Sequence, residues 1–162
     1  MAEKNKLKAE WSSVLKGLIS ADIDFIVIGG AALALHGLPR TTLDIDIYIR
    51  ADKNTFDKLF ICLLDKLNLQ SEQALFRNNS DQSHLFIGQW FTFSNSDGID
   101  LIDVFIADDD EFESLKTSVE KISIYDHQVK IASLEALKKM KQECARPIDL
   151  ADVVLIDEIM QL

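Results

Sequence analysis

A chain of 162 residues, 48% of them hydrophobic, holds enough apolar material for one sizeable core, so a single domain over 1–162 is expected. Its formal net charge of −10 argues against a generic nucleic-acid surface, where phosphate contacts dominate affinity, while leaving room for a local basic patch. The longest apolar stretch, Phe25 to Leu35, contains two glycines and falls short of the ~20 residues that span a bilayer. With no apolar signal core at the N-terminus, a cytoplasmic protein without a membrane partner is expected. Cys62 and Cys144 lack a Cys or His neighbour at metal spacing and read as reduced, packed helical thiols.

In chain order, Trp11, Leu15 and Leu18 recur at helical spacing, which predicts an amphipathic helix over about Lys4 to Ile19 within an N-terminal segment 1–20. Phe25 to Ile28 is a short β-branched and aromatic run that reads as a buried strand. Gly29 and Gly30 allow a sharp turn and close approach of a ligand, and a helix from Ala31 would aim unpaired N–H groups at an anion such as a triphosphate. His36, before Gly37, reads as a cap or packed side chain. Thirteen residues after Gly30 comes Asp44-Ile45-Asp46-Ile47-Tyr48-Ile49, whose alternation predicts a strand with the isoleucines in the core and both aspartates on the other face. Their Cα atoms would lie about 6.5–7 Å apart, and aspartate is depleted in strands, so two on one face call for a reason. Hard oxygen ligands of this kind suit Mg²⁺ or Mn²⁺.

Further on, Asn54 to Leu67 reads as a helix with Phe56, Leu59, Phe60, Leu63 and Leu67 on its apolar side. Leu85 to Ile87 and Trp90 to Phe93 look like two antiparallel strands leading, through the turn Ser94 to Gly98, into a strand over Ile99 to Phe105. That last strand carries Asp100 and Asp103, which alternation places on opposite faces, so at most one joins the earlier pair. A third carboxylate at roughly 4 Å costs about 4 kcal/mol of repulsion per pair at an effective dielectric near 20 unless a cation lies between. Three clustered acids therefore imply a metal. Asp108 to Glu111 reads as an acidic helix start, Lys121 to Ala132 as a hairpin around Asp126-His127, and 133–162 as two helices with Pro147 in a first turn.

The combination of a strand, Gly29-Gly30, Asp44-x-Asp46 and a later strand carrying Asp100 resembles the nucleotidyltransferase superfamily typified by DNA polymerase beta. The run His36 to Asp46 is similar to small bacterial nucleotidyltransferases, including AbiEii-type toxins. This resemblance implies an α/β (α+β) nucleotidyltransferase fold, a mixed sheet flanked by helices, with the catalytic core over 21–107. It implies catalytic and metal-binding roles for Asp44, Asp46 and Asp100, with Asp100 favoured over Asp103 by its place just after the turn glycine. Gly29, Gly30, Arg40, Thr42, Lys141 and Arg146 become expected nucleotide contacts, Arg40 and Thr42 from the segment between glycines and acids. The C-terminal helices would border the nucleotide through Lys141, Arg146, Asp149 and Asp152, although Ile148 stands where the relatives carry a lysine.

The activity so implied is Mg²⁺- or Mn²⁺-dependent transfer of an NMP from an NTP, with ATP the first choice, to a hydroxyl of a protein, a tRNA or a small molecule. Two other classes stay open: one half of a toxin–antitoxin pair acting on a tRNA or a partner protein, and a nucleotide-binding module without turnover.

Overall fold

The computed structural model describes residues 2–124 and 126–162, with side chains from residue 10 onward. Its elements run α1 (Ala2–Ser20), β1 (Phe25–Ile28), α2 (Gly29–Leu35), β2 (Ile45–Arg50), α3 (Lys53–Phe60), β3 (Trp90–Ser94), β4 (Asp100–Ala107), α4 (Asp109–Lys116), β5 (Val119–Ile124), β6 (His127–Ala132), α5 (Leu134–Cys144) and α6 (Pro147–Met160). The strands form one mixed six-stranded sheet in the order β3-β4-β2-β1-β6-β5. β1 is antiparallel to β2 and parallel to β6, and β2 is parallel to β4.

Alternation along β2 places Ile45, Ile47 and Ile49 in the core, while Asp46, Tyr48 and Arg50 stand half-buried on the opposite face. On the core side Phe56 and Phe60 of α3 pack against Phe91 and Phe93 of β3, and Phe86 closes the cluster over Phe56 and Phe91. Asp52 caps α3 by accepting Thr55 N–H at 2.8 Å, and Asp108 caps α4 by accepting Glu111 N–H at 2.7 Å. Pro147 opens α6 in its first turn, and Asp126 and His127 lie in the hairpin between β5 and β6.

Three expectations change. Leu85 to Ile87 is not a strand. Leu85 and Phe86 end a 3₁₀ segment, Ser80–Phe86, and a second such segment spans Glu72–Phe76, so β3 is the sheet's edge. The apolar triplet is drawn to Phe76 and Phe91 through Phe86 alone, with Leu85 left exposed. The helix expected over Asn54 to Leu67 changes at Phe60 into a π-helical stretch, Ile61–Lys66. Cys62 is buried as expected, whereas Cys144 is exposed at the end of α5. Among the described residues no helix is long and apolar enough to cross a membrane.

Candidate functional site

The sheet register assembles the site. Ile28, Asp46, Asp103 and Thr92 lie side by side across β1, β2, β4 and β3. Gly29 follows Ile28 directly and so stands next to Asp46. Its φ is +66°, and a Cβ built there would meet Asp46 Oδ2 at 2.2 Å, so both backbone conformation and space demand glycine. Gly30 differs. A Cβ there would meet only Thr42, at 3.4 Å, and the Arg40 guanidinium carbon, at 3.8 Å, which are ordinary contacts. Gly30 is itself buried, with Thr42 and the Arg40 side chain packed over it, so the fold has room for a methyl group there but no more.

Asp44, Asp46 and Asp103 each offer a carboxylate oxygen within 4.8 Å of the others. Asp44 sits just ahead of β2, where the Thr42 hydroxyl donates to its backbone carbonyl at 2.9 Å and lies 3.2 Å from Oδ1. Asp103 Oδ1 accepts the Thr92 hydroxyl at 2.6 Å. Asp100, expected as the third acid, is not brought into the cluster. Its Oδ1 accepts the Ser94 hydroxyl at 2.6 Å further along the same strand. The register of β2 against β4 pairs Asp46 with Asp103 and leaves Asp100 three residues further along, past a β-bulge: Phe93 pairs with Ile102 but Ser94 pairs with Asp100, so Leu101 is an extra residue. The bulge puts Asp100 and Asp103 on one face, against the expectation from simple alternation.

Crowding shows in the electrostatics. Burial first, then the Asp44 and Asp103 carboxylates, push Asp46 from 3.8 up to about 7, while Lys141 and Arg146 pull it down. Burial also raises Asp103, with the neighbouring carboxylates of Asp44 and Asp100 adding to it and the Thr92 hydrogen bond opposing. Half-buried carboxylates that repel one another suit a hard divalent cation with oxygen ligands, so the donor set fits Mg²⁺ or Mn²⁺.

The C-terminal helices contribute a buried ion cluster. Lys141 of α5 is 7% exposed, and Asp149 and Asp152 of α6 are 0% and 2% exposed. Lys141 Nζ lies 3.1 Å from Asp149 Oδ1 and 2.9 Å from Asp152 Oδ2. Arg146 Nε donates to Asp149 Oδ2 at 2.7 Å, and chiefly this bond, helped by Lys141 against the effect of burial, holds Asp149 down at about 2. Arg40 Nε lies 3.0 Å from Asp152 Oδ1 but out of line for a hydrogen bond, so the pair is held by charge. Three cations against two carboxylates leave one net positive charge on the side of the site that Asp46 feels. Ile148 is exposed and takes no part in this cluster. His36 is packed, with Nε2 2.8 Å from the Ala132 carbonyl oxygen and Nδ1 3.5 Å from Glu120.

This architecture is the nucleotidyltransferase-like fold. The chain superposes on a nucleotidyltransferase-like antigen of Paracoccidioides brasiliensis with a TM-score of 0.57 and 21% identity, over 96% of this chain and 77% of that one. A Thermotoga maritima protein described as a candidate nucleotidyltransferase matches with a TM-score of 0.56 and 14% identity, over 95% of this chain and 91% of that one. No protein-family model matches the sequence, and no curated protein matches it.

Proposed function

We infer that the protein is a metal-dependent nucleotidyltransferase moving an NMP from an NTP, ATP as the first candidate, to an acceptor hydroxyl. The observation that carries this reading is the convergence of Asp44, Asp46 and Asp103 beside the Gly29 bend, on a fold shared with nucleotidyltransferase-like structures. Asp103 replaces Asp100 as the third acid of the proposal. A bound Mg²⁺ or Mn²⁺ would be held by these three carboxylates and would neutralise triphosphate charge while making the acceptor hydroxyl more acidic.

The chain's own residues do the rest. The bend at Gly29 faces the phosphates, with Arg40 and Thr42 over Gly30 beside it and the cations of Lys141 and Arg146 offsetting their charge. Thr42 and Thr92 fix Asp44 and Asp103 by hydrogen bonds, so each keeps carboxylate capacity for the site. The acceptor oxygen bonds to the α-phosphorus as the bond from that phosphorus to the pyrophosphate oxygen breaks. Pyrophosphate leaves with the electron pair, and the hydroxyl proton passes to Asp103 Oδ2, the oxygen that Thr92 does not occupy.

The test is Asp46→Asn in an assay of pyrophosphate release from each NTP with Mg²⁺ and host lysate as acceptor source. We expect a loss of about a thousandfold, in line with the several kcal/mol of charge stabilisation that a held metal supplies. Unchanged turnover would contradict the reading. A second reading, the toxin half of a toxin–antitoxin pair, draws on the apolar Leu150, Val154 and Ile159 exposed on α6. It requires that expression arrest growth and that the same variant relieve the arrest.

A further inference from the structure

The sheet edge next to the carboxylate cluster is hollowed into a cavity of about 570 Å³, inside the range of about 300–1,000 Å³ that encloses small ligands. One wall is strand, with Thr92 and Ser94 of β3 and Asp100 of β4; the other is the segment from Gln70 to Gln73. This second wall is fastened in place. Gln70 and Ser94 exchange backbone hydrogen bonds, each 2.8 Å, and Gln73 Oε1 accepts Thr92 N–H at 3.0 Å. The hollow is therefore a built feature of the edge strand.

Thr92 joins the cavity to the cluster, because it lines the one and donates its hydroxyl to Asp103 in the other. An occupant of the cavity is thus separated from Asp103 by the Thr92 side chain alone along this path. The lining chemistry narrows that occupant. Asp100 and Glu72 are exposed carboxylates, the remaining polar groups are amides and hydroxyls, and no lining residue is basic. With no basic side chain in the lining to offset Asp100 and Glu72, and a net charge of −10 on the chain, the field there repels an anion and attracts a cation.

Resting on the nucleotidyl-transfer reading, we propose that this cavity is the acceptor site and that the acceptor is a small polyhydroxylated molecule carrying protonated amines. Asp100 and Glu72 pair with the ammonium groups, the amide and hydroxyl lining takes the remaining polar groups, and one hydroxyl turns toward Asp103. Its oxygen becomes the new phosphoester oxygen, its proton goes to Asp103, and pyrophosphate is released.

The experiment is calorimetric titration of the whole protein with 2-deoxystreptamine, a diamino polyol, and with its neutral N,N′-diacetyl derivative. The charged form should bind at least about tenfold more tightly than the neutral one. Asp100→Asn with Glu72→Gln should weaken the charged form by about tenfold or more while the amide spectrum stays native; each single variant read alone guards against a folding defect in the pair. Equal affinity for both forms, unchanged affinity in the double variant, no binding, or label moving from α-labelled ATP onto an RNA 3′ end would each overturn the proposal. Mn²⁺-dependent thermal protection of the wild type by α,β-methylene-ATP separates the two levels: if it holds, only the acceptor assignment falls; if it is missing as well, the nucleotidyl-transfer reading falls too.

Discussion

Each glycine of the Gly29-Gly30 pair answers to a different demand. Gly29 is required by a φ of +66° and by Asp46 Oδ2 at 2.2 Å from any added Cβ, whereas Gly30 has room. Gly29→Ala is expected to cost at least the ~1–2 kcal/mol of a left-handed backbone, plus displacement of Asp46, read as a lower melting temperature. Gly30→Ala should melt close to the wild type and weaken triphosphate binding by pressing on Thr42 and Arg40; normal binding in that variant would remove these two residues from the phosphate site. Asp46 yields a pH prediction. Its folded pKa of about 7 lies above the ordinary 3.8, so between these values the folded state keeps a proton that the unfolded chain releases. The associated stability is complete below about pH 4 and is lost as pH rises through about 7. Asp149, held at about 2, works in the opposite sense and only in acid, so it leaves that window undisturbed. Melting temperature of the metal-free protein should thus fall from pH 5 to pH 8, and Mn²⁺ should raise it more at pH 8. A flat profile would show that the carboxylates are less crowded than their geometry implies.

At the scale of elements, α5 and α6 are tied to each other and to Arg40 through the buried set Lys141, Asp149 and Asp152. Removing one partner from such a set leaves a buried charge uncompensated, so Lys141→Ala should lose about 3–5 kcal/mol in denaturant unfolding. Lys141→Ala with Asp152→Asn should recover part of that loss, which a simple packing defect would not. Sequence patterns reached these elements unevenly. The strand carrying Asp46, with Asp44 just ahead of it, the glycine bend and the capped start of α4 were legible because period and residue type agree there. That Asp103, and not Asp100, stands beside Asp46 was not legible, since it depends on the register of β2 against β4, which no residue type announces. The stretch from Gln70 to Phe86 misled for another reason: its short 3₁₀ turns have no period long enough to detect, and the apolar Leu85-Phe86-Ile87 imitates a strand.

Taken whole, the molecule combines a strongly acidic composition with one buried ion cluster in which Arg40, Lys141 and Arg146 meet Asp149 and Asp152. Random duplex DNA should produce no mobility shift at micromolar protein and 150 mM salt, because too few phosphates meet cations; a shift that weakens steeply with salt would refute this. The mixed sheet and its flanking helices were foreseeable from the family resemblance set beside the strand and helix signals, while the polar hollow at the sheet edge was not, because it depends on where a periodless segment comes to rest. That resting place matters beyond ligand chemistry. Gln70 and Gln73 already engage backbone groups of β3, and at the other border β5 shows Glu120, Lys121 and Ser123 to solvent. A sheet with one margin occupied and the other studded with charge offers a poor template for recruiting strands from other molecules, which should let the chain stay dispersed at high concentration instead of growing into fibrils.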